Sequence, residues 1–278
     1  MQLKKHHPRN LDVIQPPEYY VSTSKGYNSH INSLPYYLDL ITHLVKRDFI
    51  LRFKGSSLGF LWSLLLPLAQ LLVLVFLFQK VVPIGIDNYP AFVFSALLPW
   101  TWFSNCLSAA GSLFIGNRDL VRRPNFEPSI LITVNILSNL LIYLLALPIL
   151  FTILILYEKT ITPSLLILPL LIVIQSILII GLGLVVATLN VFYRDVQQIV
   201  SVSLMLLFYV TPVFYRSDMV GPSYSFLYTL NPVAVLIQSY RAIFLLWITS
   251  GMGTASVCRC FKRASVWFRL FYLYTSVE

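Results

Sequence analysis

Lys54-Gly55-Ser56-Ser57-Leu58-Gly59-Phe60-Leu61-Trp62-Ser63-Leu64-Leu65-Leu66-Pro67 is the point at which the chain changes solvent. Before it, Lys46, Arg47, Asp48, Arg52 and Lys54 crowd a charged, amphipathic segment; after it, from Gly55 to Gln79, no ionisable side chain occurs. That uncharged run of about 25 residues, at ~1.5 Å per helical residue, is long enough for a ~30 Å hydrocarbon core. The segment is therefore read as the entry to a first membrane span.

Working outward, the rest of the chain repeats this pattern. Of 278 residues, 57% are hydrophobic and 11% charged, with a mean hydropathy of +0.76, against roughly 25% charged in soluble domains. A polytopic membrane protein is the class that fits. The net charge of +9 does not imply nucleic acid, because Lys and Arg cluster in short stretches that flank apolar runs, where they orient spans beside anionic lipid. Cys106, Cys258 and Cys260 have no partner spacing for a disulfide framework or a zinc site. Residues 1–33 are polar and Pro-containing, with His6-His7 read as part of a solvated cytoplasmic arm and no cleavable signal expected.

From Leu34 to Phe53, Leu34, Tyr37, Leu38, Ile41, Leu44, Val45 and Phe49 recur at helical spacing, which predicts an amphipathic helix (34–54) lying in the membrane interface. Spans are then expected at about 57–82, 91–114, 129–156, 163–191 and 196–214. The link 84–90 has no Lys or Arg and faces out; Arg118, Arg122 and Arg123 mark the next loop as inner, and alternation puts Arg194-Asp195 on the same inner side. Pro67, Pro99, Pro148 and Pro169 fall inside apolar runs, where prolines kink helices. Residues 216–247 are broken by Gly221-Pro222 and Asn231-Pro232, so two half-helices dipping into the outer leaflet are expected, the second from about Pro232 to Trp247 with Gln238 and Arg241 a turn apart. A loop followed by a sixth span from Pro232 is the competing reading. The tail 248–278, interrupted by Arg259, Lys262, Arg263 and Arg269, supplies at most a marginal last span.

Catalysis in this chain is not expected. No Gly-x4-Gly-Lys-Ser/Thr cradle is present, so ATP is not bound by a P-loop here. The 11 acidic residues are scattered, and all four His precede residue 44. Neither a metal site, a carboxylate pair nor a Ser/His nucleophile can be composed from them. Span cores almost free of ionisable residues also argue against a proton relay. What remains is two short charged inner loops shaped for docking on a cytoplasmic partner, or for marking topology alone.

Six groups of residues, taken in order, resemble the permease subunits of type-2 ABC transporters that export O-antigen and teichoic acid polymers. They are Arg47-Asp48 with Arg52-Phe53-Lys54; Ser57 to Trp62 with Pro67; Asn117 to Phe126; Phe192 to Val196; Thr211 to Tyr215; and Asn231-Pro232 with Tyr240-Arg241. The resemblance spans about residues 35–247 and implies an all-α polytopic fold of about six transmembrane helices, with an interface helix and short re-entrant helices at an outer gate. It implies coupling to an ATPase partner through Arg118, Asp119, Leu120, Arg122, Arg123, Phe126, Arg194 and Asp195, and an interface helix carrying Arg47, Asp48, Arg52 and Lys54. Asn231, Pro232, Gln238 and Arg241 would sit at the outer gate, and Trp62, Trp100, Trp102, Phe103 and Tyr209 are candidates to line the translocation path. The implied assembly is a homodimer with two copies of a separate nucleotide-binding subunit, which would hold the ATP and Mg, in a bacterial cytoplasmic membrane. The cargo would be a lipid-linked glycan. A drug or lipid exporter of the same class, a membrane enzyme acting on a polyprenyl-linked sugar, and an ATPase-independent scaffold or channel are the alternatives. Cys258 to Arg263 match neither the clear final span nor the charged end that such permeases carry.

Overall fold

A computed structural model of the chain describes residues 34–124, 126–157, 163–219, 221 and 231–245. The expectations for residues 1–33, for the first outer half-helix and for the tail 248–278 lie outside these. Among the described residues the secondary structure is helical throughout: α1 (Leu34–Phe53), α2 (Leu61–Phe76), α3 (Tyr89–Gly116), α4 (Arg118–Val121), α5 (Ser129–Leu156), α6 (Leu168–Phe192), α7 (Val196–Val210) and α8 (Pro232–Leu245). Residues up to Leu40 form one unit and those from Ile41 a second, and the packing below is that of the second.

α1 ends where the apolar run begins, because Gly55 and Gly59 adopt positive φ (80° and 51°), a region glycine enters at no steric cost. The first span therefore starts at Leu61, four residues later than the apolar composition predicts, and a π turn over Leu77–Val81 completes it. Among the described residues three segments are long and apolar enough to cross a membrane: Leu61–Val81, Ser129–Leu156 and Leu165–Phe192. α3 equals the longest of them at 28 residues but is less hydrophobic, with Ala, Gly, Pro and Trp where α5 has mostly Leu and Ile. Pro67, Pro99 and Pro148 lie inside helices as expected, whereas Pro169 does not kink one. It sits in the first turn of α6, where its missing N–H has no helical partner to lose. α7 stops at Val210, short of the predicted 214, because Thr211 turns to extended backbone ahead of Pro212.

α3 is the axis of the bundle. It packs against α2, α5, α6, α7 and α8, and every residue from Ala91 to Trp100 is buried. Lipid tails are as apolar as leucine, so helices in a bilayer associate by close packing and interhelical hydrogen bonds rather than by escape from water. Both are visible here. Gly183 lets α6 approach closely: a β-carbon there would stand 3.3 Å from Ile132 Cγ2 and 3.7 Å from Ala110. By contrast Leu66, Leu72 and Phe76 on α2 and Phe192 on α6 keep about two thirds or more of their surface outside the protein, the pattern of side chains turned to lipid. α8 buries 10 of its 14 described residues.

Candidate functional site

The inner side of the bundle, set by the positive-inside rule, is built around the end of α3. Asn117 caps that end: its backbone N–H and its Nδ2 both reach the Leu113 carbonyl (3.1 and 3.0 Å), and its own carbonyl accepts from Leu120 and Val121 to begin α4. Arg118 and Asp119 on α4, with Arg122 and Arg123 after it, are exposed, while Leu120 and Phe126 are half-buried. The Phe126 N–H closes the loop onto the Arg123 carbonyl at 3.2 Å. Across the sequence, Arg194 and Asp195 are exposed in the tight turn from α6 to α7, which is closed by Val196 N–H to the Tyr193 carbonyl at 3.2 Å. The four inner-loop arginines make no ion pair among the described residues.

Two arginines of α1 brace this side. Arg47 Nη2 donates to Asn117 Oδ1 (3.4 Å), tying α1 to the start of α4, and Arg52 Nη1 donates to Asn139 Oδ1 on α5 (2.9 Å). Asp48, one turn before Arg52, lies 3.5 Å from its guanidinium. Lys54 is exposed at the turn into α2. Arg52 and Asn139 also border a cleft of about 270 Å³ between α2, α3 and α5, whose other polar lining includes Gln70, Thr101 and Asn105.

The aromatic candidates divide. Trp102 is fully buried, its indole N–H directed at the Ile136 carbonyl (3.4 Å) and its ring stacked on Tyr143 at 5.4 Å. Phe103 is likewise buried, and Trp100 packs between Phe103 and Phe208. Trp62 and Tyr209 keep 54% and 59% of their surface free. Three of the five candidates are thus buried within the chain, Trp100 and Trp102 also bordering the cleft between α2, α3 and α5, and two are surface-facing.

On the outer side, Asn231 performs the predicted cap: its Oδ1 accepts from the Val233 and Ala234 N–H groups (3.0 and 3.2 Å), with Pro232 in the first turn. Its Nδ2 donates to Thr211 Oγ1 at 3.0 Å, joining the end of α7 to the start of α8. Arg241 lies 3.8 Å over the Phe92 ring and donates from Nη2 to the Val213 carbonyl at 2.7 Å. Tyr89 Oη donates to the neighbouring Phe214 carbonyl at 2.9 Å. Gln238 is half-buried on α8.

Charge does not point to the residues that hold the helices together. Asn135, Asn190 and Gln175 are uncharged amides within apolar runs, and that placement is the sequence signal for them, whereas Gln197, beside Gln198 and close to Asp195, has no such signal. Each donates to a carbonyl of α3: Asn135 to Cys106 (2.8 Å), Gln175 to Pro99 (2.9 Å), Asn190 to Gly111 (2.7 Å) and Gln197 to Ser108 (2.6 Å).

A bundle of apolar spans with braced, charged turns on one side is a multi-pass membrane protein, and no group of His, Cys, Asp or Glu among the described residues could hold a metal. The chain belongs to the ABC-2 type transporter family, which it matches over residues 39–245. It is 36% identical over 218 residues to an O-antigen export system permease protein RfbA of Klebsiella pneumoniae, covering 77% of this chain and 83% of that one. It is also 36% identical over 216 residues to the protein of that name from Myxococcus xanthus, with the same two coverages. Family membership assigns a transport role rather than catalysis.

Proposed function

We propose that this chain is the permease subunit of an ATP-driven exporter that carries O-antigen, or a closely similar lipid-linked polysaccharide, across a bacterial cytoplasmic membrane. The observation that carries the reading is the similarity to O-antigen export permeases over 77% of the chain, at 36% identity. The inner surface supports it: four arginines and two aspartates on two turns have no ionic partner among the described residues and are backed by the α1 braces. In this reading the turns Arg118–Phe126 and Arg194-Asp195 dock in a separate ATPase subunit, which binds ATP and Mg, and two permease copies enclose the path. ATP binding draws the ATPase pair together and the docked turns convey that movement to the spans.

Expression in a strain deleted for its own O-antigen permease, with the matching ATPase subunit present, tests this. Restoration of the long-chain lipopolysaccharide ladder, together with co-purification of the ATPase, is the expected result. A bare lipid core with both proteins present in the membrane would overturn it.

A further inference from the structure

The two inner turns are far apart in sequence, one following α3 and the other joining α6 to α7. Both are nevertheless fixed to one short stretch of α3. Asn190, in the last turn of α6, donates from Nδ2 to the Gly111 carbonyl at 2.7 Å while its Oδ1 accepts the backbone N–H of Gln197 at 3.0 Å. Gln197, the second residue of α7, donates from Nε2 to the Ser108 carbonyl at 2.6 Å. Asn190 thus closes the turn across its base, and the two amides grip carbonyls three residues apart, which lie on one face of α3. Glycine at 111 makes room for this: a methyl there would collide with Gln197 Oε1. From Gly111 the helix runs to Gly116 and then into Asn117, which starts α4 and receives Arg47.

Resting on the exporter reading above, we infer that Asn190 and Gln197 are positioning residues for coupling. They make the two inner turns of a protomer a single rigid body, so that a displacement imposed on one by the ATPase reaches the other without slack. The bonds are directional, that of Asn190 to Gly111 buried and those of Gln197 part-buried, so the assembly holds one geometry rather than a continuum.

The test uses the permease with its ATPase subunit in nanodiscs, with spin labels at Glu127 and Tyr193 of one protomer, both exposed beside the turns. The unaltered permease should give one narrow distance, the same with and without a non-hydrolysable ATP analogue. Gln197→Leu, which needs no polar partner in lipid, and Gly111→Ala, which crowds the Gln197 amide off Ser108, should each broaden it. Both should also lower substrate-stimulated ATP turnover at least about fivefold while the ATPase subunit stays bound. Gln197→Leu keeps the test open should Gly111→Ala fail to assemble. An unchanged narrow distance and unchanged stimulation in Gln197→Leu, with the ATPase bound, would overturn the inference and leave the exporter reading standing. Failure of the unaltered permease to retain any ATPase would overturn the exporter reading, and the coupling role with it, whatever the labels show.

Discussion

The two ends of the bundle are fastened by different chemistry. At the inner end, single amides from α6 and α7 bond to α3 carbonyls, and arginines from α1 bond to Asn117 and Asn139. At the outer end the fastening is aromatic: Phe214 stacks on Phe78 at 5.4 Å and meets Phe208, Tyr209 and Tyr215 at 5.0–6.3 Å. The chain there is pinned by its backbone, with Tyr89 and Arg241 donating to the Phe214 and Val213 carbonyls. Hydrogen bonds fix distance and direction, whereas ring contacts keep most of their energy over a range of offsets. On the exporter proposal, the amide bonds suit an inner end that transmits a movement and the ring cluster suits an outer end that opens, with Tyr89, Asn231 and Arg241 as its directional ties.

The sharpest way to break the comparison is Phe214→Ala, which removes the ring shared by four neighbours. It should cost about 2–4 kcal/mol in unfolding measured in mixed micelles; a loss below about 1 kcal/mol would mean that the outer cluster does not hold α7 to the end of the first span. Asn231→Ala comes next, at about 1–2 kcal/mol, since it removes both the cap of α8 and the bond to Thr211. Proteolysis between α7 and α8 should accelerate in that variant, and an unaltered cleavage rate would count against the cap. At the inner end, Asn135→Leu should cost about 1 kcal/mol, because the Cys106 carbonyl loses a neutral interhelical bond of the kind worth little more in membranes. The smallest stability effect, within about 0.5 kcal/mol, is expected for Arg122→Glu and Arg194→Glu, whose side chains are exposed. Their effect should appear instead as lost substrate-stimulated ATPase with membrane insertion intact, and normal stimulation in both would remove these turns from the coupling surface.

Much of the fold was legible because membrane chemistry writes it in one dimension. Uncharged runs gave α5 to the residue and the starts of α2 and α6 to within about five residues, and Arg118, Arg122, Arg123 and Arg194 mark the inner side by the positive-inside rule, since a charge left in hydrocarbon costs too much to be misplaced. Asn231-Pro232 gave the start of α8 through a rule that is local in the backbone. What was not legible is how the helices face one another. Trp100, Trp102 and Phe103 read alike as aromatic candidates, yet they differ from Trp62 and Tyr209 in lying inside the protomer. The role of the amides that bind α3 is not legible either, because an Asn or Gln in a span has the same sequence signature whether its partner is a carbonyl on a neighbouring helix or on its own.

The sequence by itself determined that the chain crosses a membrane, where most spans lie, which side carries the arginines, and the family the motifs resemble. Hydropathy, charge and capping are properties of neighbouring residues and survive without any knowledge of the fold. Only the tertiary structure decided that α3 is the central helix, that Gly111 is bare to admit Gln197, and that the turns at Arg118 and Arg194 rest on the same stretch of α3. Helix rotation and pairing in a bilayer are set by close packing and by interhelical bonds between residues up to about 90 positions apart, a relation that no local pattern encodes.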